Sequence, residues 1–527
     1  MSQWATRCVV LLSALALATQ VFHLLRGDFV HPSRRHSEQP VAPQDPPLPE
    51  AVRNKVIGLV VSQKQPSLAN NLLQLSTNTH FNARSVRISR DPAAAKTDSV
   101  NSRRFSHFRC VGDDNNPEGR RERICVFENV CYDTTNSQWT YHVRGNSSRK
   151  PVLFDATNGE RLEFYESRQD YQVGFVALSG FTEGSTDWWP TISTSPSPAV
   201  QSPESTVVLD SLHALFHLAV HDDNLGHLLW EEMAALWYGM IRLNAFSDEL
   251  VPMHMLGSLP DRKLNVKFRT AFMPAITPKD PVSFNDYMKK TVAKQRAATH
   301  VCFDQLMAGG NMLRFFQSHG WHNQGHEPLF YSLRNRILKH HGIDPEVVPK
   351  THRIVFTNKT ETLKKNIDGG LAKNRGIANL RELVQHVQTK YPDVDVQVVE
   401  WQKLSIKKQL DLMHSTTIFI TPSGGVSTLL PFLPEGGHAI ILDYFERKGE
   451  AYYGTQAGTS VSMEAPMWNH FPFIKKLYYQ VWGSQDFVSD IPGKSVEDVD
   501  WRYEASVKVD FERMDKLIEA AFEDMEP

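Results

Sequence analysis

From Arg353 to Leu442 the sequence alternates short β-branched runs with helical stripes, and this alternation limits the possible folds more than any other feature. Arg353–Thr357 reads as a strand. A loop rich in Lys, Gly and Asn follows, through Arg375. Ile377, Leu380, Leu383, Val384, Val387 and Tyr391 then form one helical stripe, Val394, Val396 and Val398 alternate as a strand that ends at Glu400, and Ile406, Leu410 and Met413 mark a short helix. The stretch 416–445 (TTIFITPSGGVSTLLPFLPEGGHAIILDYF) closes the pattern as strand, glycine turn, short helix and strand. Strands and helices in this order build a parallel sheet through right-handed crossovers, which gathers Thr357 to Lys359, Glu400, Thr421 to Gly425 and Asp443 at one edge.

Ligands sit at such edges. The glycines of Ser423-Gly424-Gly425 let backbone approach a phosphate or ribose, and a helix starting near Val426 and Ser427 points unpaired N–H groups at the same place. An ordinary strand-to-helix turn has the same residues, so the turn needs support from its neighbours.

The chain of 527 residues exceeds one comfortable core, which predicts two domains plus extensions: residues 55–328 and 329–527, after a segment 1–30 and a stem 31–54. Within residues 1–30, Cys8 to Ala18 is an unbroken run of apolar and small residues that continues less strictly to Leu25. Arg7 and the Ala16-Leu17-Ala18 site fit a cleaved signal peptide, whereas counting on to Leu25 reaches a membrane-spanning length. The proline-rich stem from His31 to Glu50 favours a signal anchor. Either reading sends the rest into the secretory lumen, on an endoplasmic-reticulum or Golgi membrane, or outside the cell if the segment is cleaved. There Cys110, Cys125, Cys131 and Cys302 would form two disulfides in one of three connectivities, and Asn146 and Asn358 head glycosylation tripeptides. A net charge of −2 without a basic patch gives no reason to propose nucleic acid as a partner.

The first half is irregular. Lys55–Ser62, Thr140–Arg144, Val152–Asp155, Val173–Ser179 and Thr206–Asp210 are strand candidates, and Thr191–Ser205 reads as a loop. His213 to Asn244 reads as two apolar helical segments around HDDNLGHLLWEEM. Leu225, Leu228, Leu229, Met233 and Leu236 recur at helical spacing, placing His227 and Glu231 one turn apart, as a general base and its carboxylate partner require. A capped helix start, with Asp223 or Asn224 as cap, explains the same residues structurally. His319, His322 and His326 do not make a metal site, because the intervening glycines break the helix that would align them.

Five blocks occur in order: ERICVFENVCYD (122–133), NLGHLLWEE (224–232), VCFDQLMAGG (301–310), NRGIANLREL (374–383) and TPSGGVSTLLPFLPEGG (421–437). With them the chain resembles glycosyltransferase family 61, the group of plant xylosyltransferases, extracellular O-GlcNAc transferases and protein O-mannose GlcNAc transferases. The resemblance implies an α/β, GT-B-like fold of two Rossmann-like domains facing a cleft, and inverting transfer of GlcNAc or xylose from a UDP-sugar to a hydroxyl of a glycan or glycoprotein. It places His227 and Glu231 at the family's N-x-G-H-x-x-x-D/E positions as base candidates, with Asp223 and Asn224 on the acceptor side. On the donor side it points to Lys359, Arg375 and the turn residues Ser423, Gly424, Gly425 and Ser427. Where the family often has a serine and two arginines this chain has Thr357-Asn358-Lys359, and the family's H-G-A-G is Pro422-Ser423-Gly424-Gly425; lysine neutralises a phosphate without the bidentate fork.

No cofactor and no essential metal are expected. Asp393-Val394-Asp395 precedes its apolar run and Asp498-Val499-Asp500 follows none, so neither is the Asp-x-Asp of a metal-dependent transferase. An NAD-dependent oxidoreductase lacks its G-x-G-x-x-G. The alternative from another class is an inactive lumenal carbohydrate-binding relative with the same fold.

Overall fold

The computed structural model describes residues 103–111, 124–143, 153–154, 161–162, 176–178, 187–216, 225–255, 263–295, 298–309, 327–359, 376–422, 424–442, 471–479, 481, 484–499 and 504–525. All lie in one compact unit, Lys64–Pro527. Segments 1–30 and 31–54, the strand expected at Lys55–Ser62, Asn146, Asp223, Asn224, the histidines at 319, 322 and 326, Arg375, Ser423 and Asp443 fall outside the described residues.

Among the described residues, nine strands make the first sheet. The chain enters it through β1 (His107–Val111), β2 (Ile124–Glu128), β3 (Val130–Asp133) and β4 (Gln138–His142). Two short ladders follow, β5 (Leu153–Phe154) with β6 (Arg161–Leu162) and β7 (Val176–Ala177) with β8 (Asp187–Trp188). The sheet resumes with β9 (Thr191–Ser193), β10 (Thr206–Phe216), β11 (Val251–His254), β12 (Val282–Ser283) and β13 (His300–Ala308). Here β12, β11, β10 and β13 lie side by side and parallel, so the strand that enters first sits third in line. That is the order of a dinucleotide-type sheet.

On its other edge β13 pairs antiparallel with both β2 and β3, and the residue between them, Asn129, has a φ of 58°. Asparagine tolerates that left-handed conformation better than most residues, and it lets one long strand bend around β13. Two disulfides close directly opposed pairs, Cys110–Cys125 across β1 and β2 and Cys131–Cys302 across β3 and β13. The expected two bridges therefore form, with a connectivity that the sequence left open.

The second sheet has five strands among the described residues, all parallel: β14 (Arg353–Thr357), β15 (Asp395–Val399), β16 (Ile418–Pro422), β17 (His438–Leu442) and β18 (Lys475–Tyr479), in the order β15-β14-β16-β17-β18. Its central strands are buried on both faces, which explains their continuous apolar runs. Alternation still sorts them: Val355, Phe419, Ala439 and Ile441 enter one core, while Ile354, Phe356, Ile418, Ile420, Ile440 and Leu442 enter the other. Each such fully buried side chain contributes roughly 1.5–3 kcal/mol.

The helices are α1 (Pro198–Gln201), α2 (Ala234–Arg242), α3 (Lys263–Phe272), α4 (Phe284–Lys294), α5 (Glu327–His340), α6 (Leu380–Lys390), α7 (Ile406–His414) and α8 (Phe511–Met525). Helix α8 carries Met514, Ile518 and Ala521 into the second core and is tied to α6 by Asp515, which meets His386 and Lys390 at 2.9 Å each. A hairpin of β19 (Phe487–Ser489) and β20 (Ala505–Val507) completes that layer. Between the sheets lies one continuous core, built from residues 225–243 and α5 and from the inner face of β14, β16 and β17. Helix α2 reaches the first sheet at Gly239, where an added Cβ would stand 2.8 Å from Met307 Sδ and 2.9 Å from Ile124 Cγ2.

Three expectations need correction. His213–Phe216 is not helical but ends β10, because its residues alternate between two faces of the sheet and the polar His213 is satisfied there, bonded at Nδ1 to the Ser211 carbonyl and at Nε2 to the Tyr287 hydroxyl. Thr191–Ser205 is not a plain loop, since it contains β9 and α1. The segment after the glycine turn, Ser427–Phe432, is a 3-10 helix with Pro431 inside it; proline lacks the N–H that an α-helix would use there.

Candidate functional site

A parallel sheet opens a crevice where neighbouring strands send their connections to opposite sides. In the second sheet this point lies between β14 and β16. Asn358 and Lys359 leave the end of β14 there, and Gly424 and Gly425 follow β16. The Asn358 N–H donates to the Val399 carbonyl at 2.9 Å, extending the ladder past β14, and Trp401 Nε1 donates to Thr357 Oγ1 at 3.2 Å. Asn358 is only 9% exposed.

The glycine turn is closed on itself. Gly424 has a φ of 129°, which a side chain would strain, whereas a Cβ on Gly425 would meet nothing within 4 Å. The Gly424 N–H donates to Ser427 Oγ at 3.1 Å, the Ser427 hydroxyl donates to the Gly424 carbonyl at 2.6 Å, and the Ser427 N–H donates to that same carbonyl at 2.9 Å. The Thr428 hydroxyl donates to the Gly425 carbonyl at 2.6 Å. Ser427 is fully buried, so its hydroxyl shapes the turn, and the expected row of unpaired amides is partly spent inside it.

The first sheet has its own reversal between β10 and β13. Just beyond it, His227–Met233 winds as a π-helix whose closing bond runs from the Ala234 N–H to the Leu229 carbonyl, five residues back. Such wider turns are frequent at functional sites. In an α-helix the fifth residue on points well away from the first. The π-winding brings it back over the first, so position 232 comes to lie over position 227 of the backbone. The side chain of Glu232 is enclosed, 5% exposed, and its Oε1 lies 3.6 Å from Nε2 of the fully buried His254 at the end of β11. The His254 ring packs against Phe216, the last residue of β10, at a centroid distance of 3.9 Å. Of His227 and Glu231 the backbone alone is described.

These two places touch. Trp230, on the same π-helix and fully buried, donates from Nε1 to the Thr428 carbonyl at 2.8 Å and packs against Phe432 and Phe471 at 5.8 and 4.8 Å. From α5, the fully buried Arg334 donates to the carbonyls of Pro431 at 3.1 Å and Leu433 at 2.6 Å, holding the far end of the 3-10 helix. Burial lowers the Arg334 pKa to about 10, against the opposing pull of Tyr331, Glu346 and Glu435, so the guanidinium stays charged at neutral pH. Burial and the same guanidinium lower the His414 pKa; its Nδ1 faces Arg334 at 3.3 Å and its Nε2 the Asp344 carbonyl at 3.0 Å, the contacts of a neutral ring.

Residues 226–441 match the family model described as Glycosyltransferase 61. The chain carries a glycosyltransferase family 61 domain. The match begins at the glycine before the π-helix and ends within β17, so it takes in the π-helix, the switch point of the second sheet and most of the core that joins them. No curated protein matches the chain closely enough to count as a relative. This glycosyltransferase has no cluster of three or more His, Cys, Asp or Glu side chains able to hold a metal ion among its described residues.

Of the site residues read from the sequence, Lys359, Gly424, Gly425 and Ser427 gather at the second switch point, and the backbones of His227 and Glu231 lie on the π-helix. Asp223, Asn224, Arg375 and Ser423 are outside the described residues. Sequence reasoning missed Trp230, Glu232, His254 and Arg334. Trp230 and Glu232 stood inside the NLGHLLWEE block, but an α-helical projection turns Glu232 off the face. His254 and Arg334 carried no local signal.

Proposed function

We propose that this glycosyltransferase is an inverting enzyme that moves a sugar, GlcNAc or xylose, from a UDP-sugar to a hydroxyl of a glycan or glycoprotein. The observation that carries the reading is the contact of the π-helix at 227–233 with the turn at 424–428 through Trp230, inside the span of the family match. This contact supports a base candidate on one side working with a diphosphate candidate site on the other.

In this reading His227 or Glu231 takes the proton from the acceptor hydroxyl as its oxygen bonds to the anomeric carbon, while the bond from that carbon to the diphosphate oxygen breaks on the opposite side. The configuration inverts. The departing UDP carries negative charge, which Lys359, at the end of β14, and Arg375 neutralise. Asp223 and Asn224 shape the acceptor side. Positive side chains do here what a divalent ion does in metal-dependent transferases, so the proposal includes metal independence. A GT-B arrangement belongs to the same reading, supported by two parallel strand groups each with its own switch point. So does a lumenal position in the Golgi or endoplasmic reticulum behind a signal anchor, supported by the apolar run at 8–25 and by the two disulfides.

The experiment is incubation of the purified protein with UDP-GlcNAc or UDP-xylose, with and without EDTA. Release of UDP from one of them, unchanged by EDTA, is expected. Release from neither sinks the donor assignment, and loss with EDTA that manganese restores sinks the metal-free mechanism.

A further inference from the structure

The hydrogen bonds around the glycine turn form a chain that starts in the other half of the protein. Trp230 Nε1 donates to the Thr428 carbonyl, the Thr428 hydroxyl donates to the Gly425 carbonyl, and the neighbouring Ser427 hydroxyl closes on Gly424. Trp230 donates from the π-helix to the backbone of this turn, and its indole has no solvent exposure. A buried carbonyl that loses its donor is costly, so the bond resists opening. At its far end the same 3-10 helix is held by Arg334, so Trp230 and Arg334 anchor its two ends to different helices.

We propose that Trp230 is a positioning residue that holds the base-bearing π-helix and the glycine turn in fixed register. The inference deepens the reading above and rests on it for the roles of the two regions, whereas the tether itself is a matter of geometry. Trp230 does not act on substrate. It sets the distance over which a proton leaves the acceptor on one side and UDP leaves on the other, and a misplacement of about 1 Å between reacting groups can cost a hundredfold in rate.

The test is Trp230→Phe, which keeps an aromatic ring and removes the donor. Trp237→Phe serves as the comparison, because Trp237 is another enclosed indole in the same helical layer, bonded to the Leu329 carbonyl at 3.1 Å and Ser332 Oγ at 2.9 Å and not to the turn. Two readouts are taken. By hydrogen exchange on the ligand-free protein, Trp230→Phe should speed the amides of 424–430 and 229–234 together, about tenfold, and leave β14 unchanged; Trp237→Phe should leave 424–430 unchanged. By kinetics, Trp230→Phe should lower kcat ten- to a hundredfold with UDP affinity within threefold of the parent, whereas Trp237→Phe should keep kcat.

Unchanged exchange at 424–430 in Trp230→Phe overturns the tether, and so does equal loss of kcat in the two variants. If the parent protein releases no UDP from any donor, the functional reading fails instead, and the exchange experiment still decides the tether.

Discussion

The two sheets meet on one core but are held by different means. The first joins strands far apart in the chain: β2 and β3 pair with β13, and one of its disulfides spans 171 residues. The second is assembled from successive parallel strands, and its central strands are clamped between two apolar layers with no disulfide among the described residues. A sheet closed by distant pairings carries a large entropic cost of closure, which cross-links reduce. A sheet buried on both faces needs no such staple. The functional proposal divides along the same line, with proton transfer on the helix beyond the first sheet and leaving-group stabilisation at the switch point of the second.

The largest effect that sharpens this division should come from the base. His227→Ala and Glu231→Gln, assayed for turnover and UDP binding, should show a hundredfold to ten-thousandfold loss of turnover in at least one of them. UDP affinity should be unchanged in both. Near-normal turnover in both returns these residues to a structural part in the helix.

Next in size is the staple. Replacing Cys131 and Cys302 by serine should destabilise the protein by about 2–5 kcal/mol, since the bridge closes a long loop. Denaturant unfolding followed by hydrogen exchange should place the loss in β3 and β13 first, ahead of β14 and β16. Loss spread evenly over both sheets would contradict the contrast drawn between them.

A smaller effect separates two glycines. Gly239→Ala forces a methyl group into Met307 and Ile124, an overpacking worth roughly 1–3 kcal/mol, while Gly425→Ala meets open space and should leave the Tm within a degree or so of the parent. A Gly239→Ala protein as stable as the parent would show that α2 lies less tightly on the first sheet than the geometry states.

A further effect concerns acid. Burial lowers the His213 pKa to about 4, with its bond to the Ser211 carbonyl and the charge of Asp210 opposing. The unfolded chain binds a proton near pH 6.5 and the folded one does not until about 4, so stability falls as pH drops through that window, by up to about 1.4 kcal/mol per pH unit for one such group. His142, His341, His414 and His438, each lowered chiefly by burial, add to the same slope. Thermal unfolding between pH 7 and 4 should show it, and His213→Gln should flatten it; an unchanged slope would mean that His213 titrates normally.

The contrast between the sheets also explains what could be read in advance. In the second, each crossover is local, so the alternation of Ile354, Val355 and Phe356 and the stripe from Leu380 to Val387 announced their elements nearly to the residue. The last parallel strand, β18, escaped because Lys475 and Lys476 interrupt its apolar pattern. In the first, β10 runs on through His213 because the histidine finds Tyr287 and Ser211 as partners, which no local pattern announces. The candidate site divides in the same way. The glycine turn and Lys359 were legible from spacing, whereas His254 comes to Glu232 from a separate strand, and Arg334 reaches the turn from another helix.

The division of labour is tested most directly by the UDP dissociation constant, measured side by side with turnover in Lys359→Ala and Glu231→Gln. A charge-assisted contact to phosphate is worth about 1.5–3 kcal/mol, so Lys359→Ala should weaken UDP binding roughly tenfold to a hundredfold. Glu231→Gln should bind UDP as the parent does. If Glu231→Gln loses UDP binding, or Lys359→Ala keeps it, leaving-group stabilisation does not belong to the second sheet, and the account fails.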